Sequence, residues 1–374
     1  MALKKYKLGE LIERSTVNNK DLRYGADLIV GVNNDGVFTK PKGNTIEVDL
    51  KPYKLVNNGA FVYNPTRIDL GSLAYRTEGF CIVSHLYIIF YLNEKGKKLI
   101  NPYYLYIYFH RDEFRREVSF RNFGSQRPEF SFTDMADLYI ILPPIDVQRK
   151  YVDVYLAMQN NLAAYQSKVD RLKTVCDGYM DRLKKTATIS QLKDYIEPCD
   201  KRNTDGIYTL NDLRGISIEK KFINSKADMK GVSLSSYILV KPTYFSFVPV
   251  TSRNGGKITL AFNDSDNTYI VSSAYNVFRV KDTNRLLPEY LFMFFNRPEF
   301  DRYARFHSWG SAREVFTMDD MNDVKIPIPD ISVQREIVNI HKCYLERQRI
   351  AEELKSQINR LCPVLIKGSL ETVD

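Results

Sequence analysis

Two short segments, Gly124-Ser125-Gln126-Arg127 and Gly310-Ser311-Ala312-Arg313, stand 186 residues apart and set out the same chemistry in the same order. Glycine lets a backbone approach a ligand closely, serine offers a hydroxyl, and arginine adds a planar cation with several donors. That combination suits a phosphate or a base edge. The competing reading is a structural turn whose arginine pairs with a nearby acid such as Glu129 or Glu314. Further cations follow turn residues: Lys40 and Lys42 after Gly36, Arg67 after Pro65, and Lys257 within Arg253-Asn254-Gly255-Gly256-Lys257. Asn254 there has the amide geometry that pairs with an adenine edge. The candidate nucleic-acid contacts are therefore Lys40, Lys42, Arg67, Ser125, Gln126, Arg127, Arg253, Asn254, Lys257, Ser311 and Arg313.

No catalytic motif accompanies them. Gly96-Lys97 lacks the earlier glycine of a nucleotide phosphate loop, and no G-x-G-x-x-G stretch occurs. His85, His110, His307 and His341 are scattered, with no H-x-H or H-x-x-x-H pair. The five cysteines, Cys81, Cys176, Cys199, Cys343 and Cys362, are odd in number and show no C-x-x-C spacing. They read as reduced cytosolic thiols, not as a zinc site or a disulfide framework. Asn101-Pro102-Tyr103-Tyr104 has a faint likeness to the Asn-Pro-Pro-Tyr motif of adenine methyltransferases. Its repeat partner is Leu287-Pro288-Glu289-Tyr290, so what the two share is a helix-starting proline and a buried tyrosine. The expectation is a non-enzyme with no catalytic residue, no metal and no cofactor.

The elements that must hold the two segments are themselves duplicated. At the same 186-residue offset, Pro102, Tyr104, Leu105, Phe109, Arg111, Glu113 and Phe114 meet Pro288, Tyr290, Leu291, Phe295, Arg297, Glu299 and Phe300. Upstream the offset becomes 188, pairing Ile82, Tyr87 and Phe90 with Ile270, Tyr275 and Phe278. Near the start it is 184, pairing Leu8, Ile12, Gly31 and Phe38 with Leu192, Ile196, Gly215 and Phe222. Loop insertions produce such drifts at little cost. A period this long means two copies of a domain, since solenoid repeats run about 20–50 residues. The matched positions are mostly apolar, glycine or proline, while the polar residues between them differ.

Each copy opens as a mixed head. Ile82–Leu92 and Tyr269–Val280 predict strands, and Pro102–Arg116 and Pro288–Arg305 predict helices that start on proline. Beyond each head the texture changes. Tyr151, Tyr155, Met158, Leu162, Tyr165, Val169, Leu172, Cys176, Tyr179 and Leu183 alternate four- and three-residue steps, a heptad seam. A helix over 146–185 would be roughly 60 Å long at about 1.5 Å per residue. Ile340, Tyr344, Ala351, Leu354, Ile358, Leu361 and Leu365 repeat the device, with Arg347 as a polar interruption. Pro363 predicts that this second helix is shorter or bent. Tethering on one chain favours antiparallel pairing of the two helices over association between molecules. The fold class expected is α+β, with two pseudo-repeated mixed heads joined by two long antiparallel coiled-coil helices. The division expected is a head over 1–144, a helix over 145–186, a head over 187–330 and a helix over 331–374.

Composition permits this layout. A chain of 374 residues, 44% hydrophobic and 26% charged, supplies two ordinary cores. The net charge of +9 favours a polyanionic partner without identifying it. The longest apolar run, Phe80 to Leu92, is too short for a membrane span. No charged-then-apolar stretch opens the sequence, so a cytoplasmic protein without a membrane partner is expected.

With these residues in hand, the chain resembles the specificity subunit of type I restriction-modification systems along essentially its full length. The carrying segments are Leu142-Pro143-Pro144-Ile145-Asp146-Val147-Gln148-Arg149 and Ile326-Pro327-Ile328-Pro329-Asp330-Ile331-Ser332-Val333-Gln334-Arg335, each opening a long helix. The Gly-Ser-x-Arg segments agree, although many relatives carry glutamine where Arg127 and Arg313 stand. The resemblance implies two target recognition domains, each reading half of a split site in double-stranded DNA. It also implies a helical ruler between them, a platform for two modification (methyltransferase) subunits, and restriction (translocase or nuclease) subunits as further partners. A two-headed protein-interaction scaffold without DNA, and an enzyme with a site built from scattered residues, are the readings set against it.

Overall fold

The structure is a computed structural model that describes residues 3–41, 43, 45, 48–121, 129–225, 231–251, 256–311 and 313–372. The first head runs β1 (Lys4–Lys7), β2 (Ile12–Ser15), β3 (Gly31–Val32), β4 (Phe38–Thr39), β5 (Lys54–Val56), β6 (Phe61–Tyr63), β7 (Leu73–Tyr75), β8 (Cys81–Val83) and β9 (Ile88–Leu92). Then come α1 (Glu94–Leu99), α2 (Pro102–Phe109), α3 (Asp112–Arg121), α4 (Phe132–Ala136), β10 (Tyr139–Leu142) and the long α5 (Ile145–Thr186). The second head runs β11 (Thr188–Gln191), β12 (Ile196–Pro198), β13 (Arg214–Ile216), β14 (Phe222–Asn224), β15 (Ile238–Val240), β16 (Phe245–Phe247), β17 (Leu260–Phe262), β18 (Tyr269–Val271) and β19 (Asn276–Val280). It closes with α6 (Pro288–Phe295), α7 (Pro298–Phe306), α8 (Met318–Asn322), β20 (Lys325–Ile328) and the long α9 (Ile331–Glu371).

The repeat read from sequence is a repeat of topology. A four-stranded sheet ordered β2-β9-β6-β7 has the twin β12-β19-β16-β17, and the two-stranded pairs β1-β10, β3-β4 and β5-β8 have the twins β11-β20, β13-β14 and β15-β18. It reaches ring geometry. Phe61 and Phe90 stack at 5.1 Å and 8°, while Phe245 and Phe278 stack at 5.0 Å and 7°. Phe90 meets Phe109 edge-on at 6.1 Å, and Phe278 meets Phe295 edge-on at 6.2 Å. Offset stacks and edge contacts suit the aromatic quadrupole, so the core positions are restricted in geometry as well as in polarity.

Two expected elements are divided. The apolar run after Phe80 is β8 and β9, separated by a turn in which Tyr87 N–H donates to Ser84 C=O at 3.1 Å; Tyr275 and Ser272 repeat it at 3.0 Å. Each helix expected after the strands is likewise two. In the second head Pro298 opens α7 and holds Arg297 extended, at φ −80° and ψ 142°. In the first, the His110 ring nitrogen Nδ1 lies 2.8 Å from Tyr106 C=O, while His110 N–H turns to Ile107 C=O.

The long helices cover 42 and 41 residues. All the seam positions named above are buried or half-buried. The expected shortening of the second helix does not occur: α9 runs through Pro363. Cys362, Leu365 and Ile366 beside it are buried, and that packing outweighs one missing rung of the ladder.

Packing groups the chain into two compact units, Met1–Tyr165 with Ile350–Asp374, and Gln166–Arg349. In the first unit Tyr151 Oη lies 2.7 Å from Thr372 Oγ1, and Tyr104 Oη lies 2.7 Å from Ser369 Oγ. The start of α5 therefore packs on the end of α9, the antiparallel sense. In the second unit Cys176, Met180 and Leu183 share a core with Ile337 and Val338, and Arg297 reaches Asp181 of α5 at 2.6 Å.

The glutamines of the two Val-Gln-Arg steps are fully buried. Gln148 Nε2 donates to Leu99 and Pro143 C=O at 2.8 and 2.9 Å, and its Oε1 accepts from Asn101 N–H at 2.9 Å. Gln334 does the same with Arg285 and Pro329 C=O at 2.9 and 3.0 Å and Leu287 N–H at 2.9 Å. Each amide fastens a long helix to the start of the proline-led helix of its own head.

Candidate nucleic-acid interface

The Gly-Ser-x-Arg segments join α3 to α4 and α7 to α8. Ser131 and Thr317 cap the following helices through reciprocal bonds with Asp134 and Asp320, which fixes where each segment ends. Ser125, Gln126 and Arg127 lie outside the described residues, as do Lys42, Arg253 and Asn254. The geometry is visible in the second head.

There the chain turns back on itself. Trp309 N–H donates to Val315 C=O at 3.2 Å, and Val315 N–H donates to Trp309 C=O at 2.9 Å. Gly310 at the bend has φ +142°, and a Cβ there would sit 2.2 Å from Arg313 C=O, so only glycine closes this turn. A further segment lies alongside: Val250 bridges Val315, Thr251 N–H donates to Glu314 C=O at 2.9 Å, and Phe316 N–H donates to Pro249 C=O at 2.8 Å. Arg305 at the end of α7 grips both carboxylate oxygens of Glu314, with Nη2 2.9 Å from Oε1. That ion pair gives Glu314 a partner other than Arg313. Glu314 belongs to Arg305, and Arg313 is exposed with no hydrogen bond or ion pair among the described residues. Ser311 is exposed beside it.

Thr251, bonded to this turn, is the last described residue before Arg253 and Asn254, and Lys257 lies just beyond them. Lys257 is exposed but is not a free cation, since its Nζ lies 3.3 Å from Glu219 Oε1. Ile258 N–H donates to Asp301 Oδ1 at 3.2 Å, and the same oxygen takes the buried ammonium of Lys220 at 2.8 Å. Lys220 also donates to Phe295 C=O. Burial pulls the Lys220 pKa down, and Asp301 opposes the shift. Sequence reasoning did not find Lys220. Its one signal was its place in a tight turn, where it stands at φ +58°, unusual for a residue with a side chain.

In the first head, Phe130 N–H donates to Pro65 C=O at 3.0 Å, the counterpart of the Phe316–Pro249 bond. Arg67 thus stands two residues from Pro65, which meets the chain at Phe130, three residues after Arg127 in sequence. Its side chain is exposed, and its carbonyl accepts from Leu70 and Ser72 N–H at 3.1 Å each. Lys40 is exposed just after β4, and no hydrogen bond or ion pair among the described residues ties it to this corner. Asn101 caps α2 by accepting from Tyr103 N–H at 2.9 Å, so the methyltransferase-like tetrapeptide is a helix start. Exposed aromatic rings also went unread as site residues: Phe120 and Phe306, equivalent at the ends of α3 and α7, and Trp309.

The described residues include no group of three or more His, Cys, Asp or Glu side chains placed to hold a metal, and no helix among them is long and apolar enough to cross a membrane. A family model for the type I restriction modification DNA specificity domain matches twice, over residues 3–169 and 207–360. Among curated proteins none matches. The S subunit of a type I restriction-modification system from M. genitalium superposes with a TM-score of 0.61 at 10% identity, covering 99% of this chain and 96% of that one; at such identity the likeness is one of fold. The HsdS subunit from Thermoanaerobacter tengcongensis matches over 100% of this chain and 97% of that one at 14% identity, with a TM-score of only 0.40.

Proposed function

From the premise that this chain belongs to the type I restriction-modification DNA specificity family, we propose that each of its heads reads one half of a bipartite site in double-stranded DNA. The chain is a DNA specificity subunit of a type I system. One observation carries the two-part reading: the heads share topology and core geometry while their exposed polar residues differ. A shared scaffold with separate surface chemistry is what two different half-sites require. Arg67 and the 125–127 segment supply contacts in the first head; Arg253, Asn254, Lys257, Ser311 and Arg313 supply them in the second, and Lys40 and Lys42 add cations to the first. Cations bound to phosphate set affinity and register, and base-edge contacts choose sequence. Two modification subunits and the restriction subunits bring methyl transfer and cleavage, so this chain needs no cofactor of its own. The assembly is cytoplasmic.

The test is to map methylated bases in cells that carry the partner methyltransferase with either the native chain or one whose second head is exchanged. A split motif is expected, with only one half changing on exchange. A continuous motif, or an exchange that leaves both halves unchanged, would overturn the reading. The scaffold alternative predicts no motif at all.

A further inference from the structure

We propose that Trp309, with Phe306 three residues before it, forms an aromatic wedge that enters the base stack of DNA bound to the second head. The proposal rests on the reading of the chain as a DNA specificity subunit and adds a mode of contact to it. Trp309 is 69% exposed and Phe306 73% exposed. An isolated exposed ring means little, but these rings are held outward by a rigid frame. Trp309 is bonded through both backbone groups to Val315, and the bend at Gly310 admits no side chain. Arg305 and Glu314 lock the base of the turn, and Ser308 Oγ donates to Ala304 C=O at 2.6 Å to close the end of α7. The backbone that presents the Trp309 ring is therefore fixed at the surface. Such preorganisation saves ordering entropy on binding.

The neighbouring chemistry selects the occupant. Arg313, exposed and unpaired among the described residues, and the hydroxyl of Ser311 stand on the same turn. A cation, a hydroxyl and flat aromatic rings fit a nucleic acid, whose phosphates take the first two and whose base faces take the third. An apolar protein patch would call for aliphatic residues around the rings in place of a free guanidinium. The first head keeps the helix-end ring: Phe120, equivalent to Phe306, is 76% exposed. Its position 123, equivalent to Trp309, is Phe123, outside the described residues. A wedge residue inserted between base steps unstacks them, and stacking tolerates any base because every base has a π face. The wedge would thus act beside the base-reading residues without choosing a sequence itself.

Trp309 is the only tryptophan in the chain, which makes the contact directly observable. The chain is labelled with fluorotryptophan, assembled with unlabelled modification subunits and followed by fluorine NMR. On addition of a short duplex bearing the mapped methylation motif, the single resonance is expected to shift upfield through ring-current shielding. Assembly alone should leave it in place. A fluorescent purine analogue at the second half-site should brighten on binding as its stack opens. Trp309→Ala should weaken binding of the duplex about tenfold or more, while Trp309→Phe keeps most of the affinity. A resonance that ignores DNA, one that moves on assembly with the modification subunits alone, or an alanine variant with native affinity would overturn the wedge. Should the alanine variant fold poorly, the fluorine shift and the purine signal on the native chain still decide. A split motif that follows head exchange, with an unmoved resonance, defeats the wedge and leaves the specificity assignment standing.

Discussion

His110 and Lys220 solve one packing problem in two chemistries. Gly36 turns at φ +73°, and a Cβ there would lie 2.1 Å from His110 Nε2, so the first head keeps its turn bare and fills the space from the helix side. In the second head the turn position is Lys220, the position equivalent to His110 is Asn296, and Asp301 stands where the first head has Arg115. A cation on the turn with an acid on the helix has replaced a bare turn with a base and a cation on the helix. His110 Nε2 has no hydrogen-bond partner among the described residues, and burial, reinforced by the Arg115 charge and opposed by the Tyr106 carbonyl, pushes its pKa down to about 4. The sign follows from linkage. Between about pH 6.5 and 4 the unfolded chain binds a proton on this imidazole that the folded chain refuses, so stability falls as pH falls through that window and levels off below it. The loss approaches roughly 3 kcal/mol at about 1.4 kcal/mol per unit. His341, also pushed down to about 4 by burial despite Asp177 nearby, adds a similar slope in the second unit. Urea titrations at pH 7 and pH 5 check this: His110→Asn, which borrows the residue of the second head, should flatten the slope of the first unit, and an unchanged slope would show that His110 titrates normally.

At the scale of elements, the buried glutamines are the hinge between rod and head. Gln334→Leu keeps the volume and strips three backbone groups, Leu287 N–H and the carbonyls of Arg285 and Pro329, of their partner. At about 1 kcal/mol or more for each unsatisfied buried group, the variant should lose roughly 3 kcal/mol. Chemical denaturation measures it, and a native midpoint would mean that the amide holds nothing. These helices were legible in sequence because a heptad pattern sustained over ten positions, from Tyr151 to Leu183, admits no other element, and because Pro102 and Pro288 mark helix starts locally. The divisions inside the heads were missed for different reasons: Pro298 marks the one in the second head locally, whereas in the first the His110 ring takes the Tyr106 carbonyl, which the residue types alone do not announce. The site was half legible. Gly310 and Arg313 announce a turn with an exposed cation, whereas the pairing of Lys257 with Glu219 and of Lys220 with Asp301 joins residues 38 and 81 positions apart. Pro363 does not shorten α9, because local helix rules say nothing of the packing that carries the helix past it.

For the whole molecule, the two units are unequal in how the chain builds them. Gln166–Arg349 is one continuous stretch, but the first unit joins Met1–Tyr165 to Ile350–Asp374 across everything in between. Its core takes Ala351, Ile358, Cys362, Leu365 and Ile366 from the far end of the chain, and Tyr104 bonds to Ser369 there. The first head to be synthesised is therefore the last to be complete, and its final contacts must close a long loop. Removal of residues 350–374 tests this. Each aliphatic side chain lost from that core is worth about 1.5–3 kcal/mol of burial, and several together rival the roughly 5–15 kcal/mol that hold a domain folded. The deletion should thus unfold or loosen the N-terminal head and spare the C-terminal one, although the cut directly adjoins the C-terminal unit in sequence. Hydrogen exchange followed by segment reads the outcome: protection should fall over 88–92 and 104–118 and persist over 245–247 and 276–280. Equal protection of both heads in the truncated chain would mean that the N-terminal head folds on its own core, with the end of α9 only laid against it. Loss in the C-terminal head instead would contradict the grouping of Ile337 and Val338 with Met180 and Leu183 as that head's own support.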